Sequence, residues 1–453
     1  MTQTQDPATE ALLDMGDALR DAPLPDTVTH AATRHLLDTT GAILAGMDQQ
    51  VSRALAQVLA PSATTGGMAV PGAGLRLPPD AFAYLTGTAG HGIELDDGYR
   101  QGTVHPGVAV VPALLAATHL RPVSGAALLR ALVIGYETVC ALAEAMHPGT
   151  RQQGFHPTSV AGPMGAAMAV GQILGLDRGQ MGHALGLAAS GAGGLFAFLS
   201  GGGDVKRLHG GQAARAGLLA AQLAQAGVTA PAGIIGAPSG FAQAFAGVPP
   251  GRDLALRLPP EAPFRILDCY IKPHACCRHL QPAFEAAVHL CRTHKLQPSD
   301  IRSVQVETYS IAAHHARVGW GDFASAQLSF PYVMALAILQ GRADLALFGD
   351  AARADPRVAD LAGRITVTAS PDMDARYPRQ RPACVTLLTA TGEVREDRSE
   401  ASGCREMPLP DDRLRAKFRD LAGPGRAAGW DAALWSIADA PDAAGLIRRL
   451  CDA

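Results

Sequence analysis

The sequence predicts a mainly α chain. A large all-helical domain is expected over residues 1–267, a smaller α+β domain over 268–400, and a last segment, 401–453, that returns to the helical domain. Three observations lead there. Up to about residue 250, apolar and small residues recur at helical spacing. Near Pro263 the texture changes to β-branched, alternating runs. The chain has 453 residues, 48% of them hydrophobic, which is enough to build two cores.

The segment DTVTHAATRHLLDTTGAILAG (26–46) carries apolar residues at helical spacing and ends on glycine. The segments PDAFAYLTGTAGHGIELDD, GVAVVPALLAATHL, SGAALLRALVIGYETVCALAEAMH, TSVAGPMGAAMAVGQILGL and GGQAARAGLLAAQLAQAG follow in the same style. They are rich in Ala and Gly and apolar on most faces, which suits helices that approach closely in a buried core. Beyond Pro263, RILDCYIKPH, IRSVQVETYS and GRITVTAS read as strands, and ACVTLLTATGEVREDRS reads as a hairpin turning at Thr391-Gly392. Helical stretches CRHLQPAFEAAVHLCRTHK and SFPYVMALAILQG lie between them, and DDRLRAKFRDLAG with a short apolar helix closes the chain. Because the domain boundary falls twice, a small-molecule cleft is expected at the junction.

Composition narrows the function classes. Net charge is only −3 and no basic cluster is visible, so no nucleic-acid partner is expected. No run reaches about 18 consecutive apolar residues, so no membrane span is expected. The start, MTQTQDPATEALLDMGDALRD, is acidic and lacks the basic-then-apolar layout of a secretion signal. The eight cysteines are scattered apart from Cys276-Cys277 and read as free thiols. Together these give the expectation of a cytoplasmic protein.

Against a chain with only 17% charged residues, HGIELDDGYRQGTVHPG (91–107) concentrates two histidines, three carboxylates, a tyrosine and an arginine. The spacing predicts a helix from Tyr84 to about Asp97, with His91, Glu94 and Asp97 on one face. His105-Pro106 precedes the next apolar run, and His156-Pro157 repeats the arrangement further on. Proline suits a first helical turn, so both histidines are expected at or beside helix N-termini, where the dipole disfavours imidazolium. A neutral imidazole near pH 7 suits acid/base work, whereas a merely capping histidine would do none. Asp96 or Asp97 would orient one of them. Lysine is scarce, which draws attention to Lys206, with His209 three residues on, and to Lys272, beside His274, Arg278 and His279. Such cations suit an acidic substrate. Glycines 201–203 are only weak phosphate-loop material, and neither a Walker loop nor a GxSxG elbow occurs. His91-x-x-Glu94 and Cys276-Cys277-x-His279 lack zinc-ligand spacing, so no metal is expected.

Taken together, LLDTTGAILAG, HGIELDDGYRQGTVHPGVAVVPALLAA, GFHPTSVAGPMGAAMAVGQILGLD, KRLHGGQAARAGLLAAQLAQAG, IKPHACCRHLQPAFEAA, SFPYVMALAILQG and RPACVTLLTATGEV resemble the 2-methylcitrate dehydratase (MmgE/PrpD) family, in family order over nearly the whole chain. The resemblance implies a helical domain with a smaller α+β lid, a homodimer, and cofactor-free, metal-free chemistry on small polycarboxylates. It assigns catalytic roles to His105, His156, Lys206, Lys272 and Tyr332. Asp97 joins these as a catalytic candidate, and the choice between it and Asp96 as the orienting carboxylate stays open. Glu94, Asp96, His209, Cys277, Arg278 and His279 are the expected substrate contacts. Three departures argue against decarboxylation of cis-aconitate. Glu94 stands where decarboxylase-like members carry aspartate, Gly98 where they carry threonine, and Cys277 where they carry histidine. The expected activity is a 2-methylcitrate dehydratase-like hydro-lyase. The alternatives are an epimerase or isomerase of a dicarboxylate such as iminodisuccinate, a cis-aconitate decarboxylase, and a non-catalytic polycarboxylate binder.

Overall fold

A computed structural model describes residues 6–198 and 203–452; Gly201 and Gly202 of the triple glycine lie outside the described residues. The chain is mainly α and forms two compact units. The first comprises residues up to Gly92, 96–271 and 410 onward; the second comprises 93–95 and 272–409.

Seven helices position the site in the first unit: α1 (Asp26–Gly46), α2 (Pro79–His91), α3 (Gly107–Ala117), α4 (Gly125–Ala145), α5 (Pro157–Leu174), α6 (Arg178–Ser190) and α7 (Val205–Gln225). All eleven residues of α3 are buried, and α5 is buried along nearly its whole length. Polar caps therefore have to come from the ends. Ser124 caps α4, Asp177 forms a capping box with Gln180 on α6, and Gly175 closes α5 in the left-handed conformation. Helix α7 packs on both α5 and α2. Small residues allow this: a Cβ added at Gly87 would lie 2.7 Å from Gly211 Cα, so any larger side chain would push α2 and α7 apart. By length and composition α4 is apolar enough to cross a membrane, yet most of it is buried in this unit. It also carries the buried Glu137, whose Oε1 accepts the Ile266 N–H at 3.0 Å. The helix Asp411–Ala422 lies on α1, where Lys417 Nζ meets Asp38 Oδ1 at 2.6 Å.

The expected helix over 84–97 is shorter than its spacing suggested. It ends at His91, with Gly92 as C-cap, and Glu94 takes φ +55°. His91, Glu94 and Asp97 therefore share no helix face. Asp96 and Asp97 precede a two-residue strand, Gly98–Tyr99, paired antiparallel with Cys269–Tyr270. The strand expected over 265–274 is accordingly a 3-10 turn, Arg265–Asp268, followed by only those two strand residues.

The second unit is built on a four-stranded sheet: β1 (Ile301–Thr308), β2 (Ile365–Ala369), β3 (Ala383–Thr389) and β4 (Gly392–Arg398), in the order β2-β1-β3-β4. Strands β1 and β2 are parallel and the other pairs antiparallel. The hairpin turns where Thr389 faces Gly392, held by Thr389 Oγ1, which donates to the Gly392 carbonyl at 2.9 Å. Helix α8 (Gln281–Thr293) packs on β3 and β4, and also against α9 (Phe330–Leu339).

Candidate active site

Four imidazoles form a row in the first unit. His91 ends α2, His105 lies two residues before α3, His156 is the N-cap residue of α5, and His209 sits in the first turns of α7. Ring centroids are 5.3 Å apart for His105 and His91, 5.7 Å for His91 and His156, and 5.2 Å for His156 and His209. Neither His-Pro histidine caps a helix with its side chain. His156 Nδ1 instead meets His209 Nδ1 at 3.1 Å, while its backbone N–H donates to the Gly194 carbonyl.

The loop between α2 and α3 sets His105. Tyr99 and Val104 exchange backbone hydrogen bonds, Thr103 takes a positive φ, and the His105 N–H donates to Thr158 Oγ1 at 3.2 Å. His105 Nδ1 lies 2.6 Å from the Asp97 carbonyl oxygen and 3.2 Å from Asp96 Oδ2. A carbonyl only accepts, so Nδ1 carries the proton and the lone pair belongs to Nε2. His105 is also the most accessible of the four. Its side chain is 15% exposed, against 3% or less for the residues His91, His156 and His209.

The two adjacent aspartates, both open as the orienting carboxylate from sequence, make different contacts. Asp96 faces the histidines, with Oδ2 also 2.7 Å from His91 Nδ1. The Asp97 carboxylate is taken up by the fold. Oδ1 accepts the Gly107 N–H at 3.0 Å at the start of α3, Oδ2 accepts the Tyr136 hydroxyl at 2.8 Å, and His35 Nδ1 lies 3.0 Å from that same oxygen. Asp97 touches His105 only through its backbone.

Burial keeps the inner histidines neutral. His91 is pushed down to about 3 by desolvation, which outweighs the attraction of Asp96. His156 is driven well below the usual range by burial, with His91, His209 and His105 acting in the same direction. His209 is lowered to about 4 by burial and by Lys206. Lys206, in the first turn of α7, thus places its ammonium within electrostatic reach of both His91 and His209. Phe196 and Phe198 pack on the His156 ring and maintain the dry surroundings.

The second unit holds the remaining candidates. Lys272 is fully buried, its Nζ 3.4 Å from Glu94 Oε2. Arg278 corrects its expected role as a substrate clamp, because its guanidinium is already engaged. Nη1 donates to the Ser402 carbonyl at 2.6 Å, and Nη2 to the Ala401 carbonyl at 2.6 Å and Glu400 Oε1 at 3.1 Å. Tyr332 is likewise a core residue in this structure. It is buried, its hydroxyl donates to the Leu347 carbonyl at 2.5 Å, and burial raises its pKa to about 12. His279 Nδ1 is hydrogen-bonded to the Tyr309 hydroxyl. Cys277 is partly exposed and hydrogen-bonded to His315. His91 and His315 were not among the site residues expected from sequence. His91 stood inside the charged 91–107 stretch and so carried a signal; His315, in HHAR, carried none. Among the described residues, no group of three or more His, Cys, Asp or Glu is arranged to hold a metal ion.

Comparison with known proteins adds relatives that share most of the chain. A cis-aconitate decarboxylase of Aspergillus terreus (strain NIH 2624 / FGSC A1156) is 28% identical over 433 residues, covering 88% of this chain and 86% of its own. The cis-aconitate decarboxylase of Homo sapiens is 28% identical over 452 residues, 93% of this chain and 89% of its own. That of Mus musculus is 28% identical over 442 residues, 91% and 86%. The model of the MmgE/PrpD N-terminal domain matches residues 11–252 and that of the C-terminal domain residues 274–433. The chain belongs to the MmgE/PrpD family.

Proposed function

We propose that this chain is an acid/base lyase for a small polycarboxylate, with His105 as the base. The observation that carries this reading is the fixed tautomer of His105, whose Nδ1 is held by the Asp97 carbonyl beside Asp96, on the most accessible of the four imidazoles. Nε2 takes a proton from the carbon next to a carboxylate. The electron pair of that C–H bond forms the new double bond as the neighbouring C–O bond breaks, and the departing hydroxide takes a proton returned from the His105 imidazolium through the neighbouring imidazoles, His156 among them, and leaves as water. The imidazolium formed on His105 is stabilised by Asp96 at 3.2 Å. Lys206 supplies positive charge beside the row, suited to a substrate carboxylate. The proton chemistry calls on no group beyond these side chains.

Dehydration of a 2-methylcitrate-like hydroxy acid is the form we favour. Decarboxylation of cis-aconitate is a second reading, supported by the names of the relatives. The departures at Glu94, Gly98 and Cys277 weigh against it. At Gly98 a Cβ would lie 2.5 Å from Tyr270 Cζ, so a threonine would not fit here without moving Tyr270. NMR of the protein with citrate, 2-methylcitrate, cis-aconitate and iminodisuccinate analogues in deuterated water tests the proposal. A dehydratase gives an alkene with deuterium exchange beside the carboxylate, a decarboxylase gives carbon dioxide, and an epimerase gives exchange with inversion alone. No exchange and no turnover on any of them would leave only the binder.

A further inference from the structure

The second unit contains a cysteine that the proton chemistry above does not use. Cys277 stands directly before the turn Arg278–Leu280, which runs on into α8. Its N–H donates to the Gln327 carbonyl at 2.9 Å, next to Leu328, whose carbonyl holds His315, and the His279 and His315 rings lie 5.9 Å apart. There the sulfur is hydrogen-bonded to the His315 imidazole and to the backbone N–H of His279. His315 is itself fixed: it is buried, and its Nδ1 lies 2.8 Å from the Leu328 carbonyl. The carbonyl only accepts, so the proton sits on Nδ1 and the basic nitrogen is Nε2. A nucleophile, a base within hydrogen-bond reach and a third group that orients the base are the parts of an activated thiol.

We propose that Cys277 and His315 form a nucleophile–base pair, and that Cys277 is a site of covalent modification by soft carbon electrophiles and by peroxide. The proposal stands independently of the lyase reading. The groups facing the sulfur support it. Burial pushes the thiol up, but His315, the His279 N–H and Lys272 outweigh it and bring Cys277 to about 6. Tyr309 and Cys276 also interact with it, and burial raises both. Each of the other seven cysteines is pushed up, in every case chiefly by burial. Only Cys277 and Cys291 are not buried, so accessibility and thiolate character coincide at Cys277 alone.

The chemistry balances without a further reagent. With an alkyl halide, the thiolate forms an S–C bond as the carbon–halogen bond breaks and halide leaves with the electron pair. With hydrogen peroxide, an S–O bond forms and the O–O bond breaks. The departing hydroxide takes the proton held on His315 and leaves as water, so sulfur is oxidised by two electrons to a sulfenic acid and peroxide is reduced.

The test is iodoacetamide alkylation of the full chain from about pH 5 to about pH 9, with modified cysteines located by peptide mass spectrometry. Cys277 should react first, with a midpoint near pH 6, and Cys291 only above about pH 8. His315→Gln, with an unchanged near-ultraviolet circular dichroism spectrum, should move the midpoint above about pH 8 and slow alkylation at pH 7 at least about tenfold. Cys277→Ser should abolish both the early adduct and the dimedone-trapped sulfenic acid. The proposal is overturned if another cysteine reacts first, if Cys277 titrates in the wild type like an ordinary thiol, or if a folded His315→Gln protein keeps the early midpoint. Should His315→Gln fail to fold, the wild-type pH profile and Cys277→Ser decide alone.

Discussion

Asp96→Asn removes one charge and almost no volume, and it tests the division of labour between the two aspartates. Asp96 Oδ2 lies 3.2 Å from His105 Nδ1. At an effective dielectric of about 20, a full charge pair at that separation is worth about 5 kcal/mol, an upper bound. Hydrogen bonds to charged groups measured by mutation fall nearer about 1.5–3 kcal/mol, and that range governs the loss when His105 becomes imidazolium. A loss of that size lowers kcat/KM by about 10-fold to about 150-fold. Stability should change little, because His91 is neutral and an asparagine oxygen can still accept from its Nδ1. Asp97→Asn should behave in the opposite way. Its carboxylate accepts from the Gly107 N–H and the Tyr136 hydroxyl, and an amide NH2 facing either donor leaves a buried group unsatisfied at about 1–3 kcal/mol. The assay is initial rate by NMR on the substrate that the analogue panel identifies, with urea unfolding run in parallel. A fully active Asp96→Asn protein, or an Asp97→Asn protein that is stable but slow, would refute the assignment.

Further outcomes follow from the same geometry. His91, His156 and His209 all have folded-state values below the unfolded value of about 6.5, so the unfolded chain binds more protons in acid; their stabilisation is complete above about pH 6.5 and is lost as pH falls towards about 4, by about 2 kcal/mol per histidine at pH 5, which urea unfolding at pH 7 and pH 5 will read. His156→Asn keeps a good N-cap residue for α5, so it should melt close to wild type yet turn over about a hundredfold or more slowly; full activity would remove His156 from the mechanism. Turnover should survive dialysis against EDTA, and a loss restored by one metal would sink the imidazole-only chemistry. For the proposed homodimer, light scattering should give about twice the 46.8 kDa chain mass, and a fully active monomer would exclude it.

Much of the scaffold was legible because the signals are local. Helix α1 has the bounds that its spacing gave, Asp26–Gly46, and the hairpin turns at Ala390-Thr391, one residue from the place expected. The His-Pro pairs also located two helix starts, since proline at a first turn is a local preference. What stayed hidden depends on distant partners. The continuation of α2 past His91 fitted the spacing equally well. In the structure residues 93–95 belong to the second unit, where Gln327 Nε2 donates to the Ile93 carbonyl at 2.7 Å and Glu94 meets Lys272. No helical period encodes a partner some two hundred residues away.

The same reasoning explains why cations were harder to assign than histidines. Lys206, Lys272 and Arg278 look alike in sequence, each a cation within three residues of a histidine. Their burial separates them. Lys272 is fully buried against a carboxylate, and Arg278 has its guanidinium surrounded by the 400–402 backbone and Glu400. A buried guanidinium with several acceptors is held too firmly to turn toward a ligand, because each lost contact would leave a buried polar group unpaired. Lys206 differs in being only partly buried, near the start of a helix and within reach of two neutral imidazoles. In the proposed mechanism its charge lies beside the row of histidines, where it suits a substrate carboxylate. That placement is the physical reason to expect an anionic substrate beside the row of histidines.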